Sequence, residues 1–188
     1  MDPAEATRLV AKHQAGVLVD AQLLLLLLVG EFDRSSIRRF KRIASETAET
    51  DFDLIRALLR PCQRLLVTPH ILTEVDDLAE SLKPIKAFRE WLRDYVLVAK
   101  DLAPLRVSEK SVRSVHASAE RDFPRLGLAD CAVIRVARQR RLVITRDFDL
   151  FRQLSSERLA VVNFDHVRAS EYGWQKELQA LFPPPRPR

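Results

Sequence analysis

Four acids in this chain stand where short apolar runs give way to helical sequence. They are Asp20 in VLVDAQLLLLLL, Glu74 in TPHILTEV, Asp130 in GLADCAVIRVA and Asp147 in ITRDFDLF, with Asp149 close behind the last. Carboxylates gathered in one place repel and raise each other's pKa unless a cation joins them. Oxygen-only ligands suit Mg²⁺ or Mn²⁺, which keep several waters and bind phosphate oxygens. One or two such ions can activate a water and stabilise the leaving oxygen of a phosphodiester. The chemistry expected is therefore metal-assisted hydrolysis, with Asp20, Glu74, Asp130 and Asp147 both catalytic and metal-binding. Thr145, at the end of the run before Asp147, is expected to orient a carboxylate or a water. Histidine is not required: His13, His70, His116 and His166 are scattered, and no Ser/His/Asp arrangement or phosphate-binding glycine loop occurs.

The elements that must hold these acids can be read from periodicity. Continuously apolar runs occur at VLV (17–19), LLV (65–67), LVIT (142–145) and LAVVNF (159–164), with a weaker one at PLRV (104–107). Between them lie stretches at helical spacing, among them DFDLIRALLR, PHILTEVDDLAESL, IKAFREWLRDYV and LADCAVIRVARQRR. Strands alternating with helices imply an α/β fold: a mostly parallel sheet of about five strands, covered by helices on both faces. Ligands of such sheets bind beyond the carboxyl ends of the strands. Asp20 ends the first strand, Asp147 follows LVIT, and Asp130 opens a helix among apolar neighbours. Glu74 lies on a helix that Thr68 can cap and Pro69 can start. It falls roughly 75° from the centre of the stripe made by Ile71, Val75, Leu78 and Leu82. Asp76, Asp77 and Glu80 lie farther round, so Glu74 is the acid expected to press toward the core.

Composition sets the outer bounds. With 188 residues, few glycines and no linker or repeat, one domain over 1–182 is expected. Its core is placed at about 16–165, its last helix at about 170–182, and a disordered Pro/Arg tail at 183–188. Lysine and arginine outnumber acids 31 to 26, a net charge of +5 that favours an anionic partner. The densest basic groups are RSSIRRFKR (34–42) and RVARQRR (135–141). Arg38, Arg39, Lys41 and Arg42 of the first are the expected phosphate contacts. The run LLLLLLV (23–29) is too short for a membrane span and is expected to be a buried helix. Cys62 and Cys131 have no CxxC or Cys/His company, which predicts reduced core thiols. The charged start MDPAEATRLVAKHQ is unlike a secretory signal, so a cytoplasmic setting is expected.

Taken in order, these motifs resemble the PIN-domain ribonucleases. An Asp follows the first strand, a helical Glu comes next, then an Asp opening a later helix, then T-x-D after the following strand. Asp149 resembles the second acid of that family's T-x-D-x-D-F signature. The resemblance spans roughly 16–165 and implies a PIN-like α/β domain, Mg²⁺ or Mn²⁺, and endonucleolytic cleavage of RNA, with Asp149 as a further metal ligand. It also implies a homodimer and a toxin role with a cognate antitoxin. Ala21 and Gln22 stand where the family often has Thr or Ser and then Asn. That departure supports the alternative of a PIN-like module that binds RNA or protein with little or no catalysis.

Overall fold

The computed structural model of the chain describes residues 1–13, 16–40, 43, 48–97 and 106–181. Within them five strands form one parallel sheet: β1 (Val17–Val19), β2 (Arg64–Val67), β3 (Arg106–Glu109), β4 (Leu142–Thr145) and β5 (Val161–Asn163). The strand order is β3-β2-β1-β4-β5. Every residue of β1 and β4 is buried, as expected of central parallel strands covered on both faces. The third strand is PLRV displaced toward the C-terminus, and the last is the core of LAVVNF, because Phe164 already belongs to a helix.

Ten helices connect and flank the strands among the described residues: α1 (Pro3–Lys12), α2 (Ala21–Phe32), α3 (Ser36–Arg39), α4 (Ala48–Leu59), α5 (Pro69–Ala79), α6 (Ile85–Leu97), α7 (Ser114–Ser118), α8 (Phe123–Ala137), α9 (Phe148–Ser156) and α10 (Phe164–Leu181). Right-handed crossovers send the β1–β2–β3 connections to one face of the sheet and the β3–β4–β5 connections to the other. The packing agrees: α2 lies against α4, α5 and α6, while α8 lies against α9. The leucine run is α2, buried on all sides from Leu23 to Gly30. A Cβ at Gly30 would stand 2.3 Å from the Phe52 ring, so the missing side chain is what lets α4 approach α2 this closely. No helix among the described residues is long and apolar enough to cross a membrane. Both cysteines are buried free thiols. The last helix starts at Phe164, ahead of its expected start, and the Pro/Arg tail lies outside the described residues.

The strand order carries a functional consequence. From β1 the chain builds outward to β2 and β3, then returns to β1's other side for β4 and β5. The order therefore reverses between β1 and β4. In an open parallel sheet the crevice beyond the carboxyl ends at such a reversal is where ligands bind. Asp20 leaves β1 there, and Thr145, Arg146 and Asp147 leave β4.

Candidate active site

Asp20 is the most tightly held of the acids. It is buried, 8% exposed, and caps α2 by accepting the Leu23 N–H at Oδ1 (2.8 Å). Its Oδ2 accepts the Thr145 hydroxyl (2.7 Å) and the Arg146 N–H (2.6 Å). The Thr145 hydroxyl in turn accepts the Asp147 N–H (2.9 Å). Asp147 caps α9 through Leu150 N–H (2.7 Å). The two turns at the switch point are thus tied together by a carboxylate, a hydroxyl and backbone donors. Burial pushes the Asp20 carboxyl above the ordinary Asp range, and the donors from Thr145, Leu23 and Arg146 pull it part of the way back. Thr145 occupies the orienting position its sequence context suggests.

Glu74 and Asp130 arrive from opposite faces of the sheet, because α5 and α8 meet beyond its carboxyl edge. At Gly127 (φ 79°) the helix α8 breaks its regular geometry, so Asp130 lies in the first turn of a second helical segment. This is the helix start read at LADCAVIRVA. A left-handed φ is available to glycine at little cost and strains any other L-residue. Asp130 is mostly buried, Glu74 is exposed, and neither side chain makes a hydrogen bond or ion pair among the described residues. Desolvation raises the Asp130 carboxyl to about 7, helped by the charges of Asp147, Glu74 and Asp20 and opposed by Arg125. Partial desolvation, then Asp20, Asp147 and Asp77, raise Glu74.

All four acids line one cavity of about 250 Å³, together with apolar Leu126 and Leu128 and with Gln22. A larger cavity of about 600 Å³ shares Gln22, but it contains an ion-pair cluster, not the mutually repelling acids. There the fully buried Asp51 meets Arg168 Nε (3.1 Å), Arg146 Nη1 (3.8 Å) and the Tyr172 hydroxyl (2.7 Å). Arg146 also pairs with Asp165 (3.0 Å). Its backbone serves Asp20 while its side chain is anchored on the neighbouring helices. Sequence reasoning missed Asp51 and Arg146, since neither buried pairing nor a backbone donor leaves a mark in residue type.

Several expectations need correction. Glu74 does not press on the core: it overhangs the sheet edge in the second turn of α5 and faces the cavity instead. Asp149 does not join the cavity lining. Two residues past a helix cap turn a side chain by roughly 200°, and Asp149 is exposed and paired with Arg125 (3.6 Å). Arg38 and Arg39 are not free cations, since they pair with Glu49 (2.6 Å) and Asp33 (3.1 Å). Lys41 and Arg42 lie outside the described residues. Among the described residues, no group of three or more His, Cys, Asp or Glu side chains is posed closely enough to hold one ion.

The donor chemistry nevertheless fits a hard divalent cation. The set is all oxygen, Glu74 and Asp130 hold no hydrogen bond or ion pair among the described residues, and after desolvation the charges of Asp147 and Asp20 raise the pKa of both. No protein-family model matches this chain, nor does any curated protein or solved structure.

Proposed function

We propose that the protein is a metal-dependent endoribonuclease of PIN-like type. One observation carries this reading: acids from four separate elements converge on one cavity at the sheet's switch point, and burial with mutual repulsion lifts Asp130 to about 7. A cluster that costs stability without a cation is the arrangement expected of a site made for one. Mg²⁺ or Mn²⁺, held by Asp20, Glu74, Asp130 and Asp147, would supply an activated water and neutralise charge developing on the phosphate.

The chain's own residues do the remainder. Thr145 and the Arg146 N–H fix Asp20 in one orientation, and the α9 cap fixes Asp147. Glu74 and Asp130, which hold no hydrogen bond among the described residues, are the acids left free to turn toward an ion. Apolar Leu126 and Leu128 in the lining limit water in the cavity. Two buried thiols suit a reducing compartment such as the cytoplasm. Toxin pairing, an antitoxin and a homodimer rest on the resemblance alone.

A binding module without catalysis is the second reading, and it too has a specific observation behind it. Asp20 and Asp147 both cap helices, a role that by itself accounts for acids at those positions. Capping leaves Asp130 unexplained. The deciding experiment is cleavage of end-labelled RNA by purified protein with Mn²⁺ or Mg²⁺, beside EDTA and Asp130→Asn controls. The nuclease reading expects discrete fragments that vanish in both controls. Equal behaviour of wild type and Asp130→Asn favours the binding module.

A further inference from the structure

We propose that Phe148 and Arg152 form a stacking platform for an unpaired nucleobase beside the acidic cavity. The inference rests on the nuclease reading above and deepens it.

Phe148 is 57% exposed, and among the described residues only Met1 and Val115 are comparably large and exposed apolar residues. Unlike those two, it adjoins the candidate site, directly after Asp147 and opening α9. Leu150 and Leu154 bury the other face of α9, and the Asp147 cap pins its first turn. The ring therefore stays outward unless the whole helix shifts. One turn on, the Arg152 guanidinium lies 5.9 Å from the centre of that ring. Arg152 makes no ion pair among the described residues, whereas Arg125, Arg138, Arg146 and Arg168 are all paired with carboxylates. Phe151 props the platform from below, 6.3 Å from Phe148 and edge-on to His166 at 5.4 Å.

Electrostatics explains why a nuclease needs such a feature. The one or two ions of the nuclease reading would meet only the phosphate being cut, and the four acids repel the rest of the chain. Flanking nucleotides are therefore best held by contacts that charge does not weaken or by a cation set outside the cavity. An aromatic ring stacks any base regardless of charge, and a guanidinium plane both stacks and attracts phosphate. A base inside a duplex is already stacked and cannot reach the ring. Unpaired strands or loops can.

The test is binding, separated from cleavage by working in EDTA. A short single-stranded RNA carrying 2-aminopurine, and its duplex, are titrated with wild type and with Phe148→Ala, Phe148→Leu, Phe148→Trp and Arg152→Ala, each checked for fold by circular dichroism. The platform predicts preference for the single strand and quenched 2-aminopurine fluorescence. Loss of the aromatic ring in Phe148→Ala or Phe148→Leu should weaken binding by about tenfold or more and remove the quenching. Phe148→Trp should keep both, and Arg152→Ala should weaken binding and flatten its salt dependence. Equal affinity for duplex, or a Phe148→Leu protein that binds and quenches like wild type, overturns the proposal. So does a Phe148→Ala protein with unchanged RNA affinity but lost self-association in sedimentation, which would make the ring a protein contact. Metal-dependent cleavage that survives Phe148→Ala intact sinks the platform alone. Ring-dependent quenching in a protein that never cuts RNA sinks the nuclease reading alone.

Discussion

The Thr145 hydroxyl donates to Asp20 Oδ2 at 2.7 Å, joining the ends of the two central strands β1 and β4. Both residues are buried, so this bond has little water to replace it. Thr145→Ala should cost about 1–3 kcal/mol of stability by leaving a buried carboxylate short of a donor. Thr145→Ser should recover most of it. Urea denaturation of the three proteins measures the difference. A Thr145→Ala protein as stable as wild type would show that Asp20 is satisfied without the hydroxyl.

Asp130 gives the protein a distinctive pH response. Its carboxyl is raised from an ordinary 3.8 to about 7, so the folded protein holds a proton that the unfolded chain has released. Stability from this group is fully present below about 4 and is lost as pH rises through about 7. Glu74 and Asp20, also raised, act in the same direction. The metal-free protein should weaken across that window, by at most about 4 kcal/mol from Asp130. Asp130→Asn should flatten the trend, and saturating Mn²⁺ should reverse it. Parallel denaturation curves for wild type and Asp130→Asn from about pH 4 to 8 would remove the electrostatic account of the site.

Gly127→Ala tests the break that presents Asp130. A Cβ there would meet nothing within 4 Å, so the cost is backbone strain at φ 79° and not a clash. About 1–2 kcal/mol of destabilisation is expected, together with weaker Mn²⁺ binding as the Asp130 turn is re-aimed. Loss of stability with unchanged metal affinity would show that the kink serves the fold only.

Asp51 anchors the side chain of Arg146, whose backbone N–H serves Asp20. Asp51→Ala should destabilise by about 3–5 kcal/mol, since Arg146 and Arg168 lose a buried counter-charge. Asp51→Asn, which keeps an acceptor for Tyr172, should cost less. Thermal melts of the pair rank the two effects. Identical losses would assign the cost to packing and not to charge.

Much of this architecture is legible in the chain because its strands are unbroken apolar runs and its helices begin at recognisable caps. Thr68 caps α5 as its position before Pro69 suggests, and Asp20, Asp130 and Asp147 all reach the expected sheet edge. The failures share a cause: residue type and spacing do not encode where an element ends relative to its neighbours. A helical wheel gives the angle of Glu74 about α5 but not its overhang past the sheet. Charge density marks RSSIRRFKR as basic, yet Arg38 pairs with Glu49 and Arg39 with Asp33, acids just outside the run whose pairing residue type does not reveal. The signature that suggested Asp149 carries no information about the turn of the helix that takes it away from the cavity.

The central claim is that Asp20, Glu74, Asp130 and Asp147 together hold a divalent ion. The most direct measurement is titration of the protein with Mn²⁺ followed by electron paramagnetic resonance, which counts bound ion without any assay of activity. One or two bound Mn²⁺ per chain, displaced by Mg²⁺ and lost in Asp130→Asn with the fold intact, is the predicted result. Wild type that leaves all Mn²⁺ free at about pH 8, above the value of about 7 to which Asp130 is raised, would contradict the account.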